Sequence, residues 1–199
     1  NNIKKKLFSL SSHIQISKIT LNRSFEEASM TNNLEIFKKI SQNTNIKSIN
    51  KIGLKSIIIK SKEEISGVVF KGIDKNYAWS EFSENIIEGR KINISDSTAS
   101  NEVIISQKIS KDLNLKLNDN LLIYFILNLP RARKMKIVGI YSSDIEEIDQ
   151  VYIVGDLKLI QKINDWQKGE FGHFEIYIND IKKIEQTKQQ LLDLLPQSY

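Results

Sequence analysis

Two histidines, one acidic run and one basic turn are where this sequence could do chemistry. His13 and His173 each open an alternating run, and neither has a carboxylate at metal-ligand spacing, so the residues point to structural or surface histidines. Asp144, Glu146, Glu147 and Asp149 form the acidic run. Paired carboxylates can hold a cation or share acid and base roles, but this run lacks the glycine and ligand order of an EF-hand loop. It is expected to be a solvated loop. The serines fall in neither G-x-S-x-G nor S-x-x-K, and two histidines leave a triad few partners. No G-x-x-x-x-G-K-[ST] or G-x-G-x-x-G occurs, and with no cysteine there is no thiolate nucleophile, thiolate metal site or disulfide. The expectation is a protein that is not an enzyme, with no catalytic residue, cofactor or metal.

The basic turn lies in Phe125–Lys134, FILNLPRARK. Pro130 cannot donate to a central ladder, so the segment must be an edge, a bulge or a projecting tip. Asn128, Leu129 and Pro130, followed by Arg131 and Arg133, make a small apolar knob with a basic flank. One reading is a surface hairpin with solubilising charges. The other is a contact surface, since an exposed apolar tip beside cations suits a partner's acidic or strand-edge face.

The elements that must position these residues come from a chain of 199 residues, long enough for one large domain or two small ones. A hydrophobic content of 40% and a charged content of 27% suit a globular protein. The net charge of +5 invites nucleic acid as a partner, but the lysines are scattered among acids, and no nucleic-acid partner is expected. The longest apolar run, Leu121–Leu127, falls far short of the ~20 residues that span a bilayer, and no signal peptide is present. The chain opens at Asn1-Asn2 without Met, which reads as a domain excised from a larger protein.

Along the chain, Ile3, Leu7 and Leu10 mark a short amphipathic helix, and His13–Ser17 alternates as a strand. A helix over Leu34, Phe37 and Ile40 is capped by Asn32 or Asn33. Ile46–Ile59 reads as one or two strands broken at Gly53, Ile65–Phe70 as a strand, and Gly72–Asp74 as its closing turn. Trp79 and Phe82 stand at helical spacing in Tyr77–Asn85, and Ile86–Arg90 leads into a polar loop. Val103–Ile105 is a strand, Ile109 and Leu113 a brief helix, and Asn118–Asn120 a turn. Leu121–Leu127 and Met135–Tyr141 are strands, with Val151–Val154 one more. A helix marked by Leu157, Ile160, Ile163 and Trp166 with Asp156 near its start, a strand over Phe174–Ile178 and a last helix capped by Asp180 complete the order.

This succession resembles the extracytoplasmic core domain of MacB-like ABC transporter permeases, above all the lipoprotein-releasing (Lol) permeases. The resemblance rests on IISQKISKDLNL (104–115), KLND (116–119), IVGIY (137–141) and EEIDQVYIV (146–154). It extends to GVVFKGID (67–74), IIEGRKI (86–92) and GHFEIYIND (172–180), so order and spacing over nearly the whole chain carry it. Ser106 and Asn118 stand where the family often has glycine; Asn tolerates a left-handed backbone and can still make the turn.

The resemblance implies an α+β fold. A porter-like split βαβ/αβα subdomain would comprise 12–65 and 154–199, with a mostly β subdomain, 66–153, inserted and 1–11 ending a membrane-proximal helix. It implies a place on the periplasmic side of the bacterial inner membrane, with the parent protein in the membrane. The implied partners are a periplasmic lipoprotein carrier, a separate ATPase subunit and a second permease subunit. The carrier would dock on a hook-like hairpin at Asn128, Leu129, Pro130, Arg131 and Arg133. Two other readings stand beside it: a MacB-type export or signalling permease acting with an adaptor, and a soluble enzyme on a ferredoxin-like scaffold. The enzyme would need a pocket gathering His173 with Asp149 or Glu146.

Overall fold

The computed structural model describes residues 12–19, 27–31, 34–61, 64–126 and 131–196. The helix expected within 1–11 and the caps Asn32 and Asn33 lie outside them. Among the described residues the strands are β1 (Ile14–Ser17), β2 (Ile46–Lys60), β3 (Ile65–Ile73), β4 (Ile86–Gly89), β5 (Glu102–Ser106), β6 (Asn120–Phe125), β7 (Arg131–Tyr141), β8 (Tyr152–Asp156) and β9 (His173–Ile178). The helices are α1 (Leu34–Ser41), α2 (Gln107–Asp112), α3 (Glu146–Asp149), α4 (Leu157–Ile163) and α5 (Ile184–Leu192). The fold is mixed α+β.

β2 organises it. One edge of β2 pairs with β3 over Ile52–Lys60. The other edge pairs first with β9, over Ile46–Ile52, and then with β6, over Ile57–Lys60. From β3 the sheet runs through β8, β5 and β7, and β7 returns to β6. Lys136 N–H donates to Asn101 on the β5 side, whereas Ile137 N–H donates to Asp119 on the β6 side. β5 and β6 therefore occupy opposite edges of β7, and β2–β3–β8–β5–β7–β6 closes into a small barrel. Closure removes edges, and alternate side chains point inward. Ile57 and Ile59 meet Phe70, Ile153, Ile105, Ile137, Ile123 and Phe125 inside, all at most 1% exposed. Burial of each such side chain stabilises by about 1.5–3 kcal/mol.

β9 and β1 extend the sheet from the first half of β2. Ile40 of α1, Leu157 and Ile160 of α4, and Leu191 of α5 join the same core. A second core lies on the outer barrel face, where Ile52, Ile73, Ile104 and Val154 are covered by Tyr77, Phe82 and Ile92. The ring takes β3, β5, β6 and β7 from the segment expected as an insert, β8 from across its 153/154 boundary and the second half of β2 from outside it, so both segments share one sheet.

Several local expectations change. β2 is one strand that runs straight through Gly53. A Cβ on Gly53 would stand 2.7 Å from Leu157 Cδ1, and one on its partner Gly72 would stand 2.8 Å from Leu157 Cα, so both glycines admit α4 rather than bend the chain. β3 accordingly continues through Gly72 to Ile73. Tyr77–Asn85 is not a helix: it is a series of turns ending in one 3-10 turn, Ser83–Asn85. Its aromatics still face inward, with ring centroids 5.3 Å apart for Tyr77–Trp79 and for Phe82–Tyr141. Ile86–Gly89 is a strand on β7, not the lead-in to a loop. Asn118 takes φ +70°, as the turn requires. Ser106 is extended, with no need of glycine; its hydroxyl accepts from Ile109 N–H at 3.0 Å, capping α2, and donates to the Asp149 carbonyl. Ser106→Ala should lower stability by ~1–2 kcal/mol in urea titration, the usual cost of a lost cap; an unchanged midpoint would deny the cap its role.

Candidate docking surface

The β6–β7 ladder pairs Asn120 with Lys136 and ends at Phe125 opposite Arg131. Asn128, Leu129 and Pro130 lie outside the described residues. Arg131 is exposed at the last rung, and Arg133, half-buried opposite Ile123, donates from Nη1 to the Ala132 carbonyl at 2.9 Å. Arg131 and Arg133 follow Met135 on the inward-facing register of β7, so the basic flank stands where that apolar row runs out into solvent.

The opposite face of this wall carries residues that the hairpin motif did not single out. Lys60 is the register partner of both Ile65 and Leu122, and Leu122 that of Lys134. Ile58 and Tyr124 form the next rung. Ile65 is 65% exposed, Leu122 40%, and Ile126, just past β6, 56%. The exposed lysines 60, 134 and 136 flank this apolar strip. A groove of about 570 Å³ adjoins it at the barrel end, lined by Lys60, Glu64, Asn114, Asp119, Leu122 and Tyr124. The signal was present in the uninterrupted run Leu121–Ile126. Alternate members of an apolar strand fill a core, and when no polar residue takes the other positions the outward face is apolar too.

The acidic run is only partly solvated. Glu146 and Glu147 are exposed, but α3 turns Asp149 inward to 5% exposure. Its Oδ1 accepts from Ser143 N at 3.0 Å and Oγ at 2.6 Å. This buried carboxylate ties the end of β7 to α3.

The histidines are structural in two different ways. His13 Nδ1 accepts from Ile178 N–H at 3.0 Å and its ring stands edge-on to Tyr177; burial lowers its pKa below the ordinary imidazole value. His173 is 1% exposed and does have carboxylates, brought by the fold rather than by spacing. Glu27 Oε1 lies 2.5 Å from Nδ1 and Glu175 Oε1 lies 3.7 Å from Nε2. Glu175 is also paired with Lys71 Nζ at 2.7 and 2.8 Å. Burial pushes the His173 pKa down, but the carboxylates of Glu175 and Glu27 beside it outweigh this and hold it above the ordinary value. Burial pushes Glu175 up, and Lys71 and His173 outweigh that and hold it below. Among the described residues no cluster of three or more histidines and carboxylates could hold a metal ion. Asp149 and His173 have separate hydrogen-bond partners, and the structure does not gather them in one site. No helix among the described residues is long and apolar enough to cross a membrane.

No family model matches the chain, and no curated protein matches it either. Solved structures do. The extracellular domain of the ABC-type transporter YknZ from Gram-positive bacteria aligns with a TM-score of 0.58 at 14% identity, over 91% of this chain and 90% of that one. The periplasmic region of MacB from Actinobacillus actinomycetemcomitans aligns with a TM-score of 0.58 at 13% identity, over 90% of this chain and 80% of that one. The chain has the fold of the extracytoplasmic domains of MacB-like ABC transporter permeases.

Proposed function

We propose that this chain is the periplasmic domain of an inner-membrane ABC transporter permease of the lipoprotein-releasing type. It recruits a soluble lipoprotein carrier and couples ATP-driven motion of the membrane subunits to transfer of lipoprotein onto that carrier. The observation that carries this reading is the β6–β7 wall. There β6 and the residue after it present Leu122 and Ile126 to solvent and neighbouring β3 presents Ile65, among the exposed lysines 60, 134 and 136, and the sequence continues from this strip into Asn128, Leu129 and Pro130. Apolar anchors ringed by cations suit a partner with an acidic rim. The domain itself performs no catalysis and binds no cofactor or nucleic acid. A separate ATPase subunit turns over ATP, and a second permease subunit completes the membrane dimer. Coupling requires only that the carrier bind two conformations of that dimer unequally.

A second reading is favoured by the fold comparison, since both neighbours are domains of MacB-like transporters: an export or signalling permease that engages an adaptor. Titration of the domain with the lipoprotein carrier, and separately with an adaptor, distinguishes the two. Carrier binding that disappears when Leu129, Pro130 and Arg131 are replaced by Gly or Ser, with the circular dichroism unchanged, supports lipoprotein release and a contact at the hairpin. Binding to the adaptor alone rejects lipoprotein release.

A further inference from the structure

Among the described residues no strand pairs with one edge of β2 between Ile52 and Ile57. β9 pairs with it as far as Ile52, and β6 takes up the same edge at Ile57. In the gap, Leu54 N–H donates to Glu27 Oε2 at 2.7 Å. Glu27 opens the segment 27–31, which is also held by paired backbone bonds between Met30 and Phe171, at 2.7 and 3.1 Å. The carboxylate occupies space that a side chain at 172 would need: a Cβ on Gly172 would stand 2.0 Å from Glu27 Oε2. The other oxygen of Glu27 meets His173, which continues the row to Glu175 and Lys71.

The charge count makes this row conditional. Side-chain exposures are 17% for Glu27, 1% for His173, 7% for Glu175 and 1% for Lys71. Among the described residues of the row, two carboxylates and one ammonium leave one negative charge over, and buried charge is costly unless paired. A doubly protonated His173 cancels it, with Nδ1–H donating to Glu27 and Nε2–H facing Glu175 at 3.7 Å. A neutral imidazole donates only once. The groups that face His173 are Glu27 from the segment 27–31, Glu175 from its own strand and, through Glu175, Lys71 from β3. Tyr77, Tyr152 and Tyr177 also feel the row, but burial pushes each further above neutrality, and Glu81 acts on Tyr77 and Tyr177.

We propose that Glu27 and His173 form a proton-controlled latch that holds the segment 27–31 against β2 at Leu54. The latch is closed while His173 carries its second proton and loosens when that proton leaves. The sign follows from the carboxylates, which hold the imidazole pKa above its ordinary value of 6.5. A group raised in the folded state stabilises it fully below the unfolded value and loses that contribution as pH rises through the folded one. The latch is therefore shut in mild acid and opens on the alkaline side of neutrality, releasing Leu54 N–H from Glu27.

Hydrogen exchange on this chain from pH 6 to 9, each rate divided by the intrinsic rate at that pH, tests it alongside an NMR titration of the His173 ring. Protection at Leu54 and Met30 should fall about tenfold relative to barrel Ile57, the scale of one charged hydrogen bond, with the midpoint of His173. Glu27→Gln, which keeps an acceptor for Leu54, should remove that pH dependence. Protection that stays parallel to Ile57, a midpoint apart from that of His173, or a fall that survives in Glu27→Gln would each overturn the latch. Should the variant fail to fold, the agreement of the two wild-type midpoints decides.

Discussion

Lys71→Met is expected to cost about 3–5 kcal/mol of folding stability, the range for removing one partner of a buried ion pair. Lys71 is 1% exposed, and its ammonium gives Glu175 two hydrogen bonds of 2.7 and 2.8 Å. Methionine fills much of the same volume, so the loss is electrostatic rather than a cavity. Among the described residues of the row it leaves Glu27 and Glu175 with His173 as their shared cation. The pair Lys71→Met with Glu175→Gln removes the stranded charge and should recover a large part of the loss. Urea titrations of the three proteins measure both quantities. A single variant within 1 kcal/mol of the parent, or a double variant weaker than the single, would show that the pair does not carry this part of the sheet.

The second large effect is expected at Gly155 in β8. A Cβ there would lie 2.1 Å from Phe70 Cζ, with two further ring carbons at 2.6 and 3.0 Å. Phe70 is fully buried in the barrel, its ring centroid 6.1 Å from that of Phe125, so it has no solvent to swing into. Overpacking of this kind costs about 1–3 kcal/mol, and Gly155→Ala should fall at or above the top of that range. Phe70→Leu removes the atoms in collision. The two changes together should therefore be less damaging than the sum of each alone, with a coupling of about 0.5–3 kcal/mol. Additive losses would mean that the glycine serves some purpose other than admitting the ring.

Much of the order of elements was legible from periodicity, and Asn118 was legible as a turn because its chemistry is local. What stayed hidden depends on long-range closure. The pairing of β6 with β2 joins residues over sixty positions apart, and nothing in either strand announces it. Glu27 and His173 lie 146 positions apart, so ligand spacing along the chain had no way to couple them. Trp79 and Phe82 have helical spacing, yet the aromatic cluster on the outer barrel face holds that segment as turns. Gly53 reads as a breaker in a strand, and only the nearness of Leu157 shows that it serves packing. At the docking surface the hairpin motif led to Arg131 and Arg133. The outward strip of Leu122, Tyr124 and Ile58 required the register to be seen.

The proposed recruitment of a carrier at Asn128–Arg133 is tested most directly in the membrane-embedded permease that the proposal implies. A photo-cross-linking amino acid would be placed at position 129, and at exposed Lys162 on α4 as a control, in cells that make the lipoprotein carrier. The account expects an adduct with the mass of the carrier from position 129 and none from 162. An adaptor adduct at 129, or a carrier adduct at 162 alone, would contradict it.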